Sequence, residues 1–580
     1  MKKWQYQWSW ARWALAGWIA LLPVLAVGQG MERLVIGESS DVDKLNPLTN
    51  FSATGSYLNE YLFYSLLRVE KSSGKFVPLL AYELPKVSAD GLAYTYKIDA
   101  SARFNSGKKL TAEDVVFSLK LVKNPYVNNS QKRSHYAVIQ AAEARSDYEV
   151  QIRLKQASAQ GLRVTGDFAV LSRNYFDPEN QMAEIAFADL ADPSQIAAEK
   201  LAVLKLIAER VNGFGISGES FNNDATCSPY LLSAWRRGKN IELTSNKKFW
   251  GRKAGADHMF FQQNPAAIEF RILRDEARVR SSIFQGSVDV YTSVQPNLYF
   301  ELSDIPKLRD MYVFHSPPQY SYEYIGMNIR GEERGRSPVL ADLEVRRALA
   351  RLVQVDLLLD KVRFGLGTRI AAEYPAYRPE FRNRDLALIP YAPEEAKSIL
   401  SAAGWKDSDG NGFLDKTLSG ARVECVMEII YNENKPSRKL IAEHLAAQAR
   451  QAGILISVTE LPWKDYLERL KKGDFDLVVG AWVSDPNEDS YAQIWHRKNF
   501  GSGSNFIGFG DEQSDALIEA YDNTTDPDNR KSISYQIQKK IYEAQPYIFL
   551  WANENCMIVK KEFAQAPIYN FRPGFWLGEW

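Results

Sequence analysis

The residues best suited to chemistry are an acid and an aromatic side chain that follow one apolar strand. The run from Leu477 to Trp482 is apolar, and Asp485 comes three residues after Trp482. A carboxylate beside a large ring could receive the cationic group of a ligand. The alternative is that Asp485 hydrogen-bonds its own turn, as Asp before Pro often does. The residue pattern alone leaves both interpretations open.

Side chains that usually carry catalysis or bind metals are scattered along the chain. No H-E-x-x-H, C-x-x-C, G-x-S-x-G or phosphate-binding glycine motif is present. The five histidines show no metal-ligand spacing; they are His135, His258, His315, His444 and His496. We therefore expect no enzyme, with no catalytic residue, no metal and no cofactor. A secreted hydrolase stays open as the alternative, because 71 acidic residues can always supply a carboxylate pair.

One acidic segment matches half of a calcium loop. Asp407, Asp409 and Asn411 occupy the first ligand positions of an EF-hand, and Gly412 stands at position six. Position twelve is Leu418, where a bidentate Glu is required. We expect a polar turn here, with weak ion binding as the alternative.

Three strands and two helices position Asp485. We predict strands at Val423 to Ile430, at Ile454 to Val458 and at Phe475 to Trp482. Helices at Ser437 to Gln451 and from Trp463 to Leu470 separate them. This order predicts two βαβ units with parallel strands. Ligands bind outside the carboxyl ends of such strands, which places Asp485 in a crevice.

Two further helices are predicted in the first half of the chain. Thr111 is a suitable N-cap for a helix that buries Val115, Leu119 and Val122. A second helix is expected to begin with the Asp192-Pro193-Ser194-Gln195 segment. Its apolar face is Ala197, Leu201, Leu204, Ala208 and Val211.

The composition is that of a folded protein with several domains. The chain has 580 residues, 45% of them apolar and 24% charged, which predicts about four domains. Lys and Arg number 71, as do Asp and Glu, and this balance argues against nucleic acid as a partner. Cys227, Cys425 and Cys556 are too few for a disulfide scaffold, and we expect all three to be buried.

The amino terminus has the features of a cleavable signal peptide over residues 1–28. An apolar run of 15 residues extends from Trp13 to Val27, and the basic residues Lys2, Lys3 and Arg12 precede it. This run is too short to span a bilayer as a helix, and it ends in the small-x-small pattern Ala26-Val27-Gly28. An uncut membrane anchor is the alternative. We expect a soluble mature protein that is periplasmic or otherwise outside the cytoplasm.

Several segments together resemble the family 5 extracellular solute-binding proteins of ABC transporters, in the dipeptide/oligopeptide-binding group. Arg103 to Phe117 is similar to the family's kFhdGtplTAeDVvfs stretch, which is specific. Other matching segments are Phe76 to Ala81, Pro229 to Leu232, Phe249 to Gly251, Phe284 to Val290, Tyr324 to Asn328 and Glu344 to Leu349. The similarity covers nearly all of the mature chain.

The resemblance implies a two-lobed α/β fold of the periplasmic-binding-protein type, with a ligand cleft between the lobes. The first lobe would be discontinuous over 29–320, with an inserted subdomain at about 75–212. The second lobe would cover 321–540, and 541–580 would return to the first. A monomer that captures short peptides and delivers them to a membrane permease is implied.

The resemblance also assigns ligand-binding roles. Trp482 to Asp485 matches the family's W-x-x-D stretch, whose Asp holds the α-ammonium group of a peptide. Arg438 lies near the position of a family Arg that takes the ligand carboxylate. The chain departs from the family at Cys227-Ser228-Pro229 and has a long segment at about 183–221. An oligosaccharide, a nickel chelate or an opine therefore remains an alternative solute, and a signalling receptor an alternative partner.

Overall fold

The computed structural model describes most of the chain from residue 31 to residue 579. It leaves out residues 51, 193, 195, 253–257, 375–378, 419, 484–489, 502 and 571–572. The expected signal peptide, residues 1–28, lies outside the described residues. Among those described, no helix is long and apolar enough to cross a bilayer.

Strands and helices are mixed along the whole described chain. The strands are β1 (Arg33–Glu38), β2 (Leu67–Val69), β3 (Phe76–Pro78), β4 (Lys86–Val87), β5 (Ala93–Lys97), β6 (Ile139–Ser146), β7 (Glu149–Leu154), β8 (Tyr230–Arg236), β9 (Asn240–Ser245), β10 (Ala267–Ile272), β11 (Val290–Tyr291), β12 (Tyr312–His315), β13 (Pro318–Met327), β14 (Gly367–Arg369), β15 (Asp415–Leu418), β16 (Ala421–Glu424), β17 (Val426–Asn432), β18 (Leu455–Leu461), β19 (Leu477–Val483), β20 (Tyr547–Glu554) and β21 (Met557–Lys560). The α-helices are α1 (Ala53–Leu62), α2 (Ala112–Lys123), α3 (Ser130–His135), α4 (Gly161–Gly166), α5 (Arg173–Phe176), α6 (Ala198–Gly213), α7 (Glu276–Phe284), α8 (Pro296–Ser303), α9 (Pro306–Met311), α10 (Leu343–Arg351), α11 (Val355–Arg363), α12 (Pro393–Ala402), α13 (Pro436–Gln451), α14 (Trp463–Lys472), α15 (Ala492–Trp495), α16 (Glu512–Asn523) and α17 (Pro527–Ala544).

A seven-stranded sheet forms the centre of the first lobe, which we call lobe I. Its strand order is β12-β21-β11-β1-β10-β9-β8. β1 lies between β10 and β11 and runs parallel to both. Leu34 and Ile36 of β1 are fully buried, as expected for a central parallel strand rich in β-branched and aliphatic residues.

A four-stranded sheet in the order β4-β5-β7-β6 extends lobe I. α2 packs on β6 and β7, and its apolar residues Val115, Leu119 and Val122 are buried. The helix starts after Thr111, as predicted, and the Thr111 N–H donates to Asp114 Oδ2 at 2.9 Å. These side chains share one continuous core with β1, so the extra sheet is fused to lobe I.

A six-stranded sheet forms the second lobe, lobe II, in the order β14-β20-β13-β19-β17-β18. β17 runs parallel to β18 and to β19, with α13 and α14 as the connecting helices. The two predicted βαβ units are confirmed, and so is the two-lobed α/β fold class. Separate apolar cores cover the two faces of this sheet.

An ion-pair cluster around Arg336 ties the lobe II strands together at their amino ends. Arg336 Nη2 lies 2.7 Å from Asp476 Oδ2 and 3.2 Å from Glu428 Oε2. Glu428 also pairs with Arg469 at 2.5 Å, and these arginines hold the pKa of Glu428 below its usual value against the effect of burial. We call these four residues the Arg336 cluster.

The chain passes between the lobes twice, at neighbouring places. β12 of lobe I continues over Ser316 and Pro317 into β13 of lobe II, and β20 continues over Asn555 and Cys556 into β21 of lobe I. β12 pairs with β21, and β13 pairs with β20. The Asn555 N–H donates to the Pro317 carbonyl at 2.8 Å. We propose that these two short adjacent connections act as a hinge.

We propose domain boundaries at these crossings. Because β20 pairs with β13 in lobe II, we place the return to lobe I at residue 556, whereas the sequence suggested 541. We retain the inserted subdomain at about 75–212 as part of the same proposal.

Two local expectations were wrong. The helix expected from Asp192 begins at Ala198, because Asp192 Oδ1 instead accepts from the N–H and hydroxyl of Ser194. The strand expected from Val423 begins at Val426, because Ala421–Glu424 forms a hairpin with β15. Pro193 and Gln195 lie outside the described residues.

Candidate ligand-binding site

The carboxyl ends of the parallel strands in both lobes point toward the hinge. In lobe I, Tyr291 at the end of β11 pairs with Ile558, near the start of β21. In lobe II, Val483 at the end of β19 pairs with Ser321, near the start of β13. Both β13 and β21 begin at the hinge, so the carboxyl edges of the two sheets meet there. Ligands of open α/β sheets bind at such edges.

The lobes also touch away from the hinge. The Ala159 N–H of the inserted subdomain donates to the Asp522 carbonyl at 3.1 Å. Gln156 Nε2 donates to Asn523 Oδ1 at 3.4 Å. Asp522 and Asn523 end α16 in lobe II. The interlobe space is therefore bridged both at the hinge and between the inserted subdomain and α16.

Four aromatic rings lie parallel on one face of the lobe II sheet, from Tyr547 beside the amino end of β19 to Trp482 near its carboxyl end. Tyr547 and Tyr324 stack with centroids 4.0 Å apart and an interplanar angle of 12°. Trp482 lies parallel to Tyr324 at 6.3 Å, and Phe506 lies parallel to Trp482 at 6.1 Å. The Trp482 Nε1–H donates to the Tyr547 hydroxyl at 3.2 Å. We call these four residues the aromatic wall.

A glycine makes the aromatic wall possible. Tyr324 pairs with Gly480 on the neighbouring strand β19. A Cβ atom at Gly480 would lie 2.7 Å from Cζ and from the hydroxyl oxygen of Tyr324, so any side chain there would displace the ring. Alternation along β13 puts Tyr322 and Tyr324 on the same face of the sheet.

Of the predicted residues, the structure places Trp482 and Arg438 at this edge. Trp482 is the penultimate residue of β19. Asp485 lies in 484–489, outside the described residues, and its role stays a prediction. The calcium-like segment is a turn in which Asp407 accepts from the N–H groups of Gly410 and Gly412. Among the described residues no group of His, Cys, Asp and Glu side chains is arranged to hold a metal.

Arg438 projects from the first turn of α13. Its Nη1 donates to Oδ1 of Asn432, the last residue of β17, at 2.5 Å. Its guanidinium carbon lies 6.0 Å from the ring centroid of Tyr466. No carboxylate of the described residues lies within ion-pair distance of it. Arg438 thus presents a cation beside the strand ends that interacts with the Glu323 carboxyl group without a direct ion pair.

Glu323 is a buried carboxyl group that the sequence reasoning missed. It lies on β13 opposite Ala481 of β19, and its Oε2 has no hydrogen-bond partner among the described residues. Burial raises the pKa of Glu323, while Arg438, Arg363 and Lys435 act in the opposite direction. A single Glu inside the Tyr-rich strand was the available sequence signal.

Glu373, a half-buried residue, carries a second carboxyl group that the sequence did not reveal. It accepts hydrogen bonds from Trp495 Nε1 at 2.5 Å and from the Tyr322 hydroxyl at 2.8 Å. Burial raises the pKa of Glu373 to about 7, although both donors favour the ionised form. Its partners come from distant parts of the chain, so no local spacing could indicate it.

Comparisons with known proteins agree with this architecture. The sequence model for "Bacterial extracellular solute-binding proteins, family 5 Middle" matches residues 75–504. The oligopeptide-binding protein AppA of Bacillus subtilis (strain 168) is 24% identical over 566 residues, which cover 94% of this chain and 92% of that protein. The structure of AppA from Bacillus subtilis in complex with a nonapeptide superposes with a TM-score of 0.69 at 22% identity, covering 95% of this chain and 99% of that one.

A further structure with the same fold is NikZ from Campylobacter jejuni in complex with Ni(L-His). Its TM-score is 0.68 at 20% identity, with 91% of this chain and 94% of that chain covered. These identities are low, and they show a common fold. The family match, in contrast, spans well over half of the sequence. The chain belongs to the bacterial extracellular solute-binding proteins of family 5.

Proposed function

We propose that the protein is the extracytoplasmic binding component of an ABC importer and that it captures short peptides between its two lobes. The observation that carries the proposal is the meeting of both sets of parallel strand ends at a hinge with two crossings. A ligand bound at these edges contacts both lobes and stabilises the closed arrangement.

The charges at the edge suit the two ends of a peptide. Arg438 has no direct carboxylate partner among the described residues and would bind the carboxylate of the ligand by charge-assisted hydrogen bonds. Asp485 follows β19 in the sequence and would bind the ammonium group, as its W-x-x-D context suggests. A ligand with one cationic and one anionic end would complement both residues.

Trp482 and Phe506 are half-buried and present apolar ring surface near this edge, and the buried Tyr324 and Tyr547 complete the aromatic wall behind them. Its rings are held by stacking and by the Trp482–Tyr547 hydrogen bond, so few side-chain rotamers remain to be fixed on binding. Backbone groups of an extended peptide can add specific polar contacts, and ordered water can accommodate different side chains. Such a site favours peptides of varied sequence.

The remaining elements of the proposal concern location and partners. Residues 1–28 would direct the chain out of the cytoplasm and be removed. The mature monomer would deliver its ligand to a membrane permease without chemical change. Mass spectrometry of peptides incubated with the protein tests this last point: unchanged peptides support a binding protein, and fragments would indicate a hydrolase.

Titration calorimetry with trialanine and N-acetyl-trialanine tests the ammonium role. Removing one partner of a buried charge pair costs about 3–5 kcal/mol, or about 2 to 3.5 decades of affinity. We expect Asp485→Ala to lower the affinity for trialanine by this factor. The affinity for the acetylated peptide, which is already weaker, should stay nearly unchanged. Asp310→Ala, at an exposed residue of α9, is the matched control and should bind like the parent. Equal affinity of Asp485→Ala and the parent for trialanine would refute the assignment.

A further inference from the structure

A second cavity, separate from the interlobe edges, lies within lobe I. It has a volume of about 410 Å³, is open to solvent on one side, and lies between α1, α3 and α4. All the residues that line it belong to lobe I or its inserted subdomain. Its volume is within the range of small-molecule sites.

The wall of this cavity contains an unpartnered amide. Asn59 of α1 is 8% exposed, and its Oδ1 has no hydrogen-bond partner among the described residues. A buried amide oxygen without a partner is unfavourable. Asn59 lines the cavity, so a rotation of its side chain would let a ligand there satisfy this oxygen.

Two cations in the same wall lack carboxylate partners among the described residues. Arg68 is 7% exposed, and its guanidinium donates to the carbonyls of Glu60 and Phe63 at 2.6 Å and 2.8 Å. Lys132 donates to the Pro47 carbonyl, and burial lowers the pKa of its ammonium group to about 8.

The two carboxylates in the wall already have cationic partners. Glu60 pairs with Lys71 at 3.0 Å, and Asp167 pairs with Arg163 at 3.3 Å. Lys132 and Arg68 therefore leave a net positive charge at the cavity. Anions are the ligands that such a surface attracts.

We propose that this cavity binds a small carboxylate that also carries an amide group, of the size of an acylated amino acid or a dipeptide. The carboxylate is held by Lys132 and Arg68, and the ligand amide pairs with Asn59. The cavity lies outside the interlobe site and has its own ligand preference. The inference does not depend on which solute the interlobe site takes.

N-acetylglycine and its neutral isostere N-acetylglycinamide test the proposal on the full mature protein. We expect N-acetylglycine to bind in calorimetry and to raise the melting temperature, and N-acetylglycinamide to bind more weakly by about 10- to 100-fold. Lys132→Met should weaken N-acetylglycine by a similar factor. Lys109→Met, at an exposed residue of the same subdomain, should leave binding unchanged. Equal binding of the acid and the amide would overturn the proposal.

Two further measurements locate the probe. Arg438→Met should leave N-acetylglycine binding unchanged, and a loss in that variant would place the probe in the interlobe site and overturn the proposal. A crystal structure of the parent protein with N-acetylglycine should show the probe within hydrogen-bond distance of Asn59. Density for the probe at another place, or no density at a saturating probe concentration, would contradict the assignment. This test uses the parent protein and so does not depend on whether Lys132→Met folds.

Discussion

The most informative single substitution at the interlobe site is Arg438→Met. Methionine keeps much of the aliphatic length that packs near Tyr466 and removes the charge. Arg438 contributes one hydrogen bond to Asn432 within the protein and has no carboxylate partner among the described residues. The substitution therefore removes a cation that is available to a ligand while leaving the ion pairs of lobe II intact.

The size of the effect follows from the kind of bond that is lost. A hydrogen bond to a charged group contributes about 1.5–3 kcal/mol, which corresponds to about one to two decades of affinity. Arg438 is half-buried, so solvent screens its charge only in part. We expect trialanine to bind Arg438→Met about 10- to 100-fold more weakly than it binds the parent, which is the range that the loss of such a hydrogen bond gives.

Calorimetry with trialanine and trialanine amide separates a ligand contact from a structural effect. If Arg438 binds the ligand carboxylate, the parent prefers the acid over the amide, and Arg438→Met loses this preference. Arg278→Met, at an exposed arginine of α7, is the control and should keep the preference. Equal losses for the acid and the amide would refute the reasoning and indicate that Arg438 only orders Asn432.

The remaining predictions concern the stability of lobe II. Gly480→Ala should lower the free energy of unfolding by about 1–3 kcal/mol, because the added Cβ would overlap the ring of Tyr324 in the aromatic wall. The control is Gly213→Ala, whose added Cβ would meet open space. In the same urea titration it should raise the free energy of unfolding by about 0.4–1 kcal/mol. The raised pKa of Glu373 means that the folded protein binds its proton more tightly than the unfolded chain, so stability should fall as pH rises from about 4.5 to about 7. Glu373→Gln should therefore be more stable than the parent at pH 8, by on the order of 3 kcal/mol, and about as stable as the parent at pH 4. A stability difference that stays constant between pH 4 and pH 8 would contradict the raised pKa of Glu373. Arg336→Met should cost about 3 kcal/mol because it leaves the buried Asp476 without its cation, although Glu428 keeps Arg469. A cost no larger than that of the half-buried control Arg347→Met, below about 1 kcal/mol, would count against it.

Sequence patterns predicted the parts of the fold that have local signals. The βαβ units of lobe II were predictable because their buried strands are apolar runs and their helices have regular apolar spacing. The helix after Thr111 was predictable from its capping pattern and its apolar face. Trp482 and Arg438 could be placed because a parallel strand carries its terminal residues to one known edge.

Other features depend on which strands pair, and this is not visible locally. The apolar run Tyr547–Glu554 would suit a strand in either lobe. Only its pairing with β13 assigns it to lobe II. Glu373 accepts hydrogen bonds from Trp495 and Tyr322, which are 122 and 51 residues away. Helix α6 begins later than expected because the Asp192 side chain bonds its own turn. Long-range contacts decided the first two cases, and a local side-chain contact decided the third.

The crystal structure of the mature protein with bound trialanine tests the central claim most directly. The account predicts the peptide between the lobes, at the carboxyl ends of β1 and β19, with its carboxylate on Arg438 and its ammonium group on Asp485. A peptide bound within one lobe, or an Asp485 carboxylate directed away from the interlobe space and bonded to its own turn, would contradict the account.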